Sequence, residues 1–136
     1  NFMRAHLYAS VGVLKIGNDI LFNEEKIKVD RITGHGGLFK TKGVGQRVLA
    51  AAINSPISVM ETAGEGGAWG IALLASYLVN NANGLNLADY LDKVVFAGDA
   101  GVEIAPTQED VDGFNAYIEN YKAGLAIEEA AVKAKK

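Results

Sequence analysis

The chain has 136 residues, 49% of them hydrophobic and 21% charged, with a formal net charge of −3. That is enough apolar chain for one globular core, and it excludes a disordered or low-complexity protein. The acidic balance leaves no basic footprint for nucleic acid or for an anionic membrane, and the absence of cysteine removes disulfides and thiolate zinc sites from consideration.

In chain order, Phe2, Ala5, His6, Ala9, Val13 and Ile16 recur at three- and four-residue steps and predict a helix over about 2–21. Asn23, Glu24 and Glu25 form a turn, and the alternation from Ile27 to Ile32 predicts a strand over about 27–33. Gly34, His35, Gly36 and Gly37 make a glycine turn before a helix over about 42–54. Ile57 to Met60 is a short strand, and Gly64 to Gly67 is a second glycine turn. The nearly all-apolar stretch from 67 to 80 predicts a centrally buried helix, with Gly67, Gly70, Ile71, Leu74 and Leu78 interior. On that expectation Leu74→Ala costs on the order of 2–5 kcal/mol. The run Ile71 to Val79 is too short to cross a bilayer.

Asn80 to Gly84 is a loop, Leu87 to Phe96 a short helix, Ala97 to Gly101 a loop and Val102 to Ile104 a short strand. Thr107, with Asp110 three residues on, caps a last helix whose apolar face is Val111, Phe114, Tyr117, Ile118, Tyr121 and Leu125. The Ala, Glu and Lys tail from Glu128 has little to bury and is expected to fray. No repeat or linker divides the chain, so 1–136 reads as a single domain.

Several residues are candidates for chemistry. A strand, a glycine turn and a helix start together suit a phosphate, because glycine admits close backbone approach and the helix start offers N–H groups. A plain tight connection explains the same pattern, and neither a Walker loop nor G-x-G-x-x-G is present. His35 either contacts a phosphate or covers the turn, the second being the simpler reading. Lys40 and Lys42 either neutralise phosphate charge or sit at a solvated helix start. Thr41 is a helix cap, a nucleotide contact, or both. Glu61 and Glu65 flank the second glycine turn and read as turn and cap residues rather than an acid–base pair. Asp99 lies in a glycine loop with Glu103 as its nearest acid, short of a calcium loop. Trp69 and His6 read as packed side chains, and two histidines make a histidine metal site an unfavourable reading.

The ordered combination over roughly residues 1 to 80 resembles the C-terminal part of the FGGY family of carbohydrate kinases, in the sugar kinase, hsp70 and actin superfamily. Gly36, Gly37, Gln46, Pro56, Glu65, Gly66, Ala68, Gly70 and Ala72 stand at the matching positions, and Arg4-Ala5 with Leu14-Lys15 resembles the preceding helix. The sequence departs from the family pattern at Tyr8 and Ala9, where E-G is usual. It departs again at His35-Gly36-Gly37-Leu38, where a G-G-G-A turn is usual and Leu38 narrows the space beside the nucleotide.

The resemblance implies an α/β, ribonuclease H-like, actin-like fold. It implies that Gly36, Gly37, Leu38 and Thr41 edge the adenosine and α-phosphate of ATP, with no catalytic residue and no metal ligand in this chain. The parent protein would transfer the γ-phosphoryl group of MgATP to a hydroxyl of a small sugar, a pentulose such as xylulose or ribulose, in the cytoplasm and with a homodimer compatible. Mg2+ and the catalytic base would be held upstream, so the chain would be an inactive C-terminal fragment. Asn1, which opens directly in a helical pattern, fits that expectation. Two other readings stay open: a non-catalytic actin-like nucleotide-binding or assembly domain, and a stand-alone α/β protein whose glycine turns are structural.

Overall fold

A computed structural model describes residues 1–81, 83–98 and 101–135. The first helix, α1 (Phe2–Asp19), runs on through a wider π turn over Ile20–Glu24. It stops where Lys26 turns left-handed at φ 55°. A three-residue strand, β1 (Ile32–Gly34), leads into the first glycine turn and a 3-10 turn over Gly37–Phe39. Helix α2 (Val44–Ile53) follows and ends at Asn54, whose φ of 54° is left-handed and whose N–H donates to the Ala50 carbonyl. Asparagine tolerates that conformation better than most residues, which makes it an effective helix stop.

Strand β2 (Ile57–Val59) runs parallel to β1, with Ile32 opposite Ile57. Two parallel neighbours need a crossover connection, and α2 supplies it. Strand β3 (Val102–Ile104) adds antiparallel to the far side of β2, giving the order β1-β2-β3. A 3-10 turn over Glu61–Glu65 leads into α3 (Gly66–Asn80), and α4 (Leu87–Tyr90) continues as a π turn over Leu91–Val95. The last helix is α5 (Gln108–Ala134). Thr107 caps it as expected, its Oγ1 accepting from the Asp110 N–H at 3.2 Å.

The core forms where α1 and α5 close over α2 and the sheet. Val11 of α1, Leu49 to Ala52 of α2, Ile57 of β2, and Phe114 and Ile118 of α5 make one buried cluster. Three successive alanines, Ala50 to Ala52, keep α2 thin enough for both neighbours to approach. Tyr8 seals the top, its ring 4.8 Å from that of Phe114 and 5.2 Å from that of Tyr117. An exposed ion pair ties α2 to α5: Arg47 Nε donates to Asp110 Oδ2 at 2.6 Å, and Thr107 Oγ1 donates to the same oxygen at 2.9 Å.

Several expectations are corrected. The apolar stretch at 66–80 is helical but not interior: none of its residues is buried, Leu74 is 46% exposed and Leu78 82%. Apolar composition reports a demand for burial, and among the described residues α3 is met mainly at its ends. There His35 lies over Gly66, and Tyr77 meets the Tyr90 ring edge-on at 5.3 Å. Trp69 on the same helix is also exposed rather than packed.

The buried stripe of α1 is Val11 and Gly12 with Tyr8 and Ile16 beside them, whereas Phe2, His6 and Val13 face outward. The reason is local: at Gly12 an added Cβ would come within 3.3 Å of the Tyr121 ring, so that side of α1 lies flush against α5. His6 touches the Phe2 ring edge-on at 4.4 Å. Strand β1 occupies only the end of the predicted 27–33, because β2 offers just three residues to pair with, and Ile27 and Val29 stay exposed. Finally, α5 continues helical through the tail to Ala134, with its last buried residue at Ile118.

Two measurements check this arrangement. In urea unfolding, Phe114→Ala lowers stability by about 3–5 kcal/mol, while Leu74→Ala changes it by no more than about 0.5 kcal/mol. The Arg47 hydrogen bond, helped by Thr107, holds the Asp110 carboxyl below its ordinary value. A depressed carboxyl stabilises the fold above its unfolded value, and that contribution disappears as pH falls through the folded one. Below about pH 4 the wild type therefore loses stability that the Asp110→Asn variant never had, and the two stability curves converge toward low pH.

Candidate functional site

The two glycine turns lie far apart in sequence but side by side in space. Gly36 adopts a φ of 104°, which favours glycine, and its N–H donates to the Ala63 carbonyl at 2.7 Å. That bond joins the first turn to the second. A second link crosses a few residues on, where Lys40 Nζ lies 2.8 Å from Glu65 Oε1. Between the joined turns and the sheet opens a cleft of about 960 Å³. That is a small-molecule size.

One wall of the cleft is Phe39 to Gly43. The other is Met60, Glu61, Thr62, Gly64 and Glu65, with the side chain of Ala63 buried behind them. Val59, Val102 and Ile104 make the floor apolar. Lys40, Thr41 and Lys42 stand on one rim, Glu61 and Glu65 on the other. An apolar floor suits a flat base or sugar, and a rim with two lysines and a hydroxyl suits phosphate oxygens.

The geometry of the first wall depends on Gly45. A Cβ there would run into the carbonyl and side chain of Leu38. Helix α2 can start this close to the turn only because position 45 carries no side chain, and that contact aims Phe39 to Gly43 along the cleft. Behind them, Gln46 is buried at the back of the site. Its Nε2 donates to the carbonyls of Ile57 and Val102, both at 2.6 Å. Both partners are acceptors, so the amide nitrogen must face them and uses both of its hydrogens. One side chain thereby clamps α2, β2 and β3 together.

The candidate residues are placed as follows. Thr41 lines the cleft and is exposed; its carbonyl, not its hydroxyl, receives the Val44 N–H at the start of α2. Gly36, Gly37 and Leu38 form the turn leading into the wall and do not themselves line the cleft. Leu38 packs against the core. Lys40, Lys42, Glu61 and Glu65 are brought together on the rim. Glu65 precedes α3 without capping it and is instead held below the ordinary carboxylate range by its hydrogen bond from Lys40. His35 covers Gly66. Glu103 faces Ser58 across the strands at 3.5 Å. Asp99 lies outside the described residues.

The sequence marks Gln46 only as an early residue of its helix; its role as a clamp is not visible there. The partner Val102 stands fifty-six residues away, beyond the reach of local pattern. A lone amide among alanines and leucines is the available hint, since a buried amide needs partners. Among the described residues no group of three or more His, Cys, Asp or Glu is arranged to hold a metal. No helix among them is long and apolar enough to cross a membrane.

Replacing Gln46 by Leu keeps the bulk and removes both donations. The Ile57 side of the clamp is buried, so stability falls by about 1–3 kcal/mol in urea unfolding. A change within about 0.5 kcal/mol would show that water replaces the amide.

Residues 1–79 match a family model described as the FGGY family of carbohydrate kinases, C-terminal domain. No curated protein and no solved structure matches the chain.

Proposed function

The chain belongs to the FGGY family of carbohydrate kinases, and from that premise we propose that its cleft is the nucleotide wall of an enzyme that phosphorylates a pentulose such as xylulose or ribulose. Family members are ATP-dependent kinases. The observation that carries the reading is the juxtaposition of the two glycine turns around a cleft with an apolar floor and a lysine- and threonine-bearing rim. The residues present fit ATP in this sense: the floor suits the nucleoside, and Thr41, Lys40 and Lys42 offer a hydroxyl and two cations to its phosphates. The turn Gly36-Gly37-Leu38 stands beside the cleft rather than in it; on this reading only its open Gly37 side reaches the adenosine and α-phosphate end, as the outer edge of the bound nucleotide. The parallel β1-α2-β2 unit supports extending the fold to the ribonuclease H-like, actin-like type.

Phosphoryl transfer is mostly positioning and charge neutralisation. Mg2+, when bound, neutralises the phosphate charge, and this reading assigns it and the catalytic base to another part of the parent. A base works best with an affinity for protons near neutral pH. Glu65 is the opposite, since Lys40 holds its carboxyl low. On this reading the chain's own residues bind and orient the nucleotide, and the proton of the sugar hydroxyl goes to a base in another part of the parent. The same reading carries a cytoplasmic setting, no nucleic-acid or membrane partner, and a homodimer as the assembly to test. A second reading, a non-catalytic actin-like assembly domain, is favoured by the exposed apolar α3.

Gly37 gives the cleanest test. An added Cβ there meets nothing within 4 Å in the protein itself, so a substitution tests the ligand and not the fold. Titrating ATP into the chain shifts the amide resonances of Thr41, Lys42 and Gly64, and Gly37→Val weakens ATP binding roughly tenfold, about 1.4 kcal/mol, with the unligated spectrum unchanged. Unaltered affinity would make the turn structural only. Incubated with MgATP and a panel of pentuloses, the chain alone forms no sugar phosphate; turnover near about 1 s⁻¹ would place a base within it.

A further inference from the structure

We propose that Lys40 and Glu65 form a clasp across the mouth of the cleft, which the phosphates of a nucleotide open by taking Lys40 from Glu65. The inference rests on the nucleotide reading of the cleft and adds a selectivity element to it. Lys40 follows the first glycine turn, and Glu65 ends the second 3-10 turn. Their charged ends meet at 2.8 Å, and both line the cleft. The lysine stem lies flat over Gly64, where an added Cβ would come within 3.1 Å of Lys40 Cγ. Position 64 thus leaves room for the stem to cross from one wall to the other.

The clasp is built to exchange. Its side chains are 58% and 73% exposed, and a pair this wet is weak enough for a better anion to displace. A di- or triphosphate presents more charge and more acceptor oxygens to the ammonium than one carboxylate does. Once Lys40 turns to the ligand, Glu65 stands uncompensated beside it and disfavours anions too weak to hold the lysine. Adenosine, which has no phosphate, cannot work the clasp. Glu61 is the natural control: it lines the same cleft with the same charge and makes no ion pair among the described residues.

The experiment measures dissociation constants of ATP, ADP and adenosine by calorimetry on the whole 136-residue chain. Glu65→Gln tightens ATP and ADP binding by roughly two- to fivefold and leaves adenosine unchanged. Glu61→Gln has a smaller effect. Lys40→Met weakens ATP and ADP and shrinks the gain from Glu65→Gln when the two are combined. Equal gains from Glu61→Gln and Glu65→Gln, or a gain with adenosine, would overturn the clasp in favour of a general charge effect. ATP binding that neither Lys40→Met nor Glu65→Gln alters would overturn the clasp and leave the nucleotide site standing. An absence of ATP binding in wild type and variants alike would remove both.

Discussion

The arrangement of this molecule turns on the buried amide of Gln46. Its nitrogen holds the carbonyls of Ile57 and Val102, so one side chain fixes helix α2 against two strands that run in opposite directions. The sheet is only three strands wide and three residues deep, too small to be rigid by its ladder alone. The clamp compensates. Because Gln46 also stands at the back of the cleft, the bond that orders the sheet orders the site as well. Gly45, one residue earlier, sets how close the glycine turn can come. Two neighbouring positions on the first turn of α2 therefore decide where the wall of the cleft lies.

What was legible in the sequence was whatever depended on local rules. The Thr107 cap, the apolar positions Val111, Phe114 and Ile118, the crossover helix and the two glycine turns all follow from near-neighbour chemistry, and they stand where that chemistry puts them. Thr41 reaches the cleft for the same reason, because it follows the first turn directly. What was not legible depended on distant partners. The alternation at Ile27 and Val29 looks like a strand, but pairing needs a neighbour, and β2 is too short to reach them. The outward face of α1 looks as apolar as the inward one, and only distant partners distinguish them: Gly12 meets Tyr121, Tyr8 meets Phe114, and Val11 enters the core.

Helix α3 is the sharpest instance. Its residues carry the strongest apolar signal in the chain, and none of them is buried. The signal is sound as a statement about what the helix needs; it says nothing about which surface answers the need. The rim of the cleft makes a similar point about charge. Two lysines and two glutamates drawn from separate turns leave little net field, and one pair of them, Lys40 with Glu65, is already engaged.

The distribution of charge along the chain gives α3 one more property. From Gly66 to Ala88 there is no Asp, Glu, Lys or Arg, so the net charge of the protein is carried entirely by the rest of the chain. Helix α3 thus presents solvent with a flank that carries no charge of its own. Any contact made through that flank gains nothing from ionic attraction and loses nothing to ordinary salt. Excluded salts such as sulfate strengthen it, and cooling weakens it, which is the inverse of how an ion-paired surface behaves.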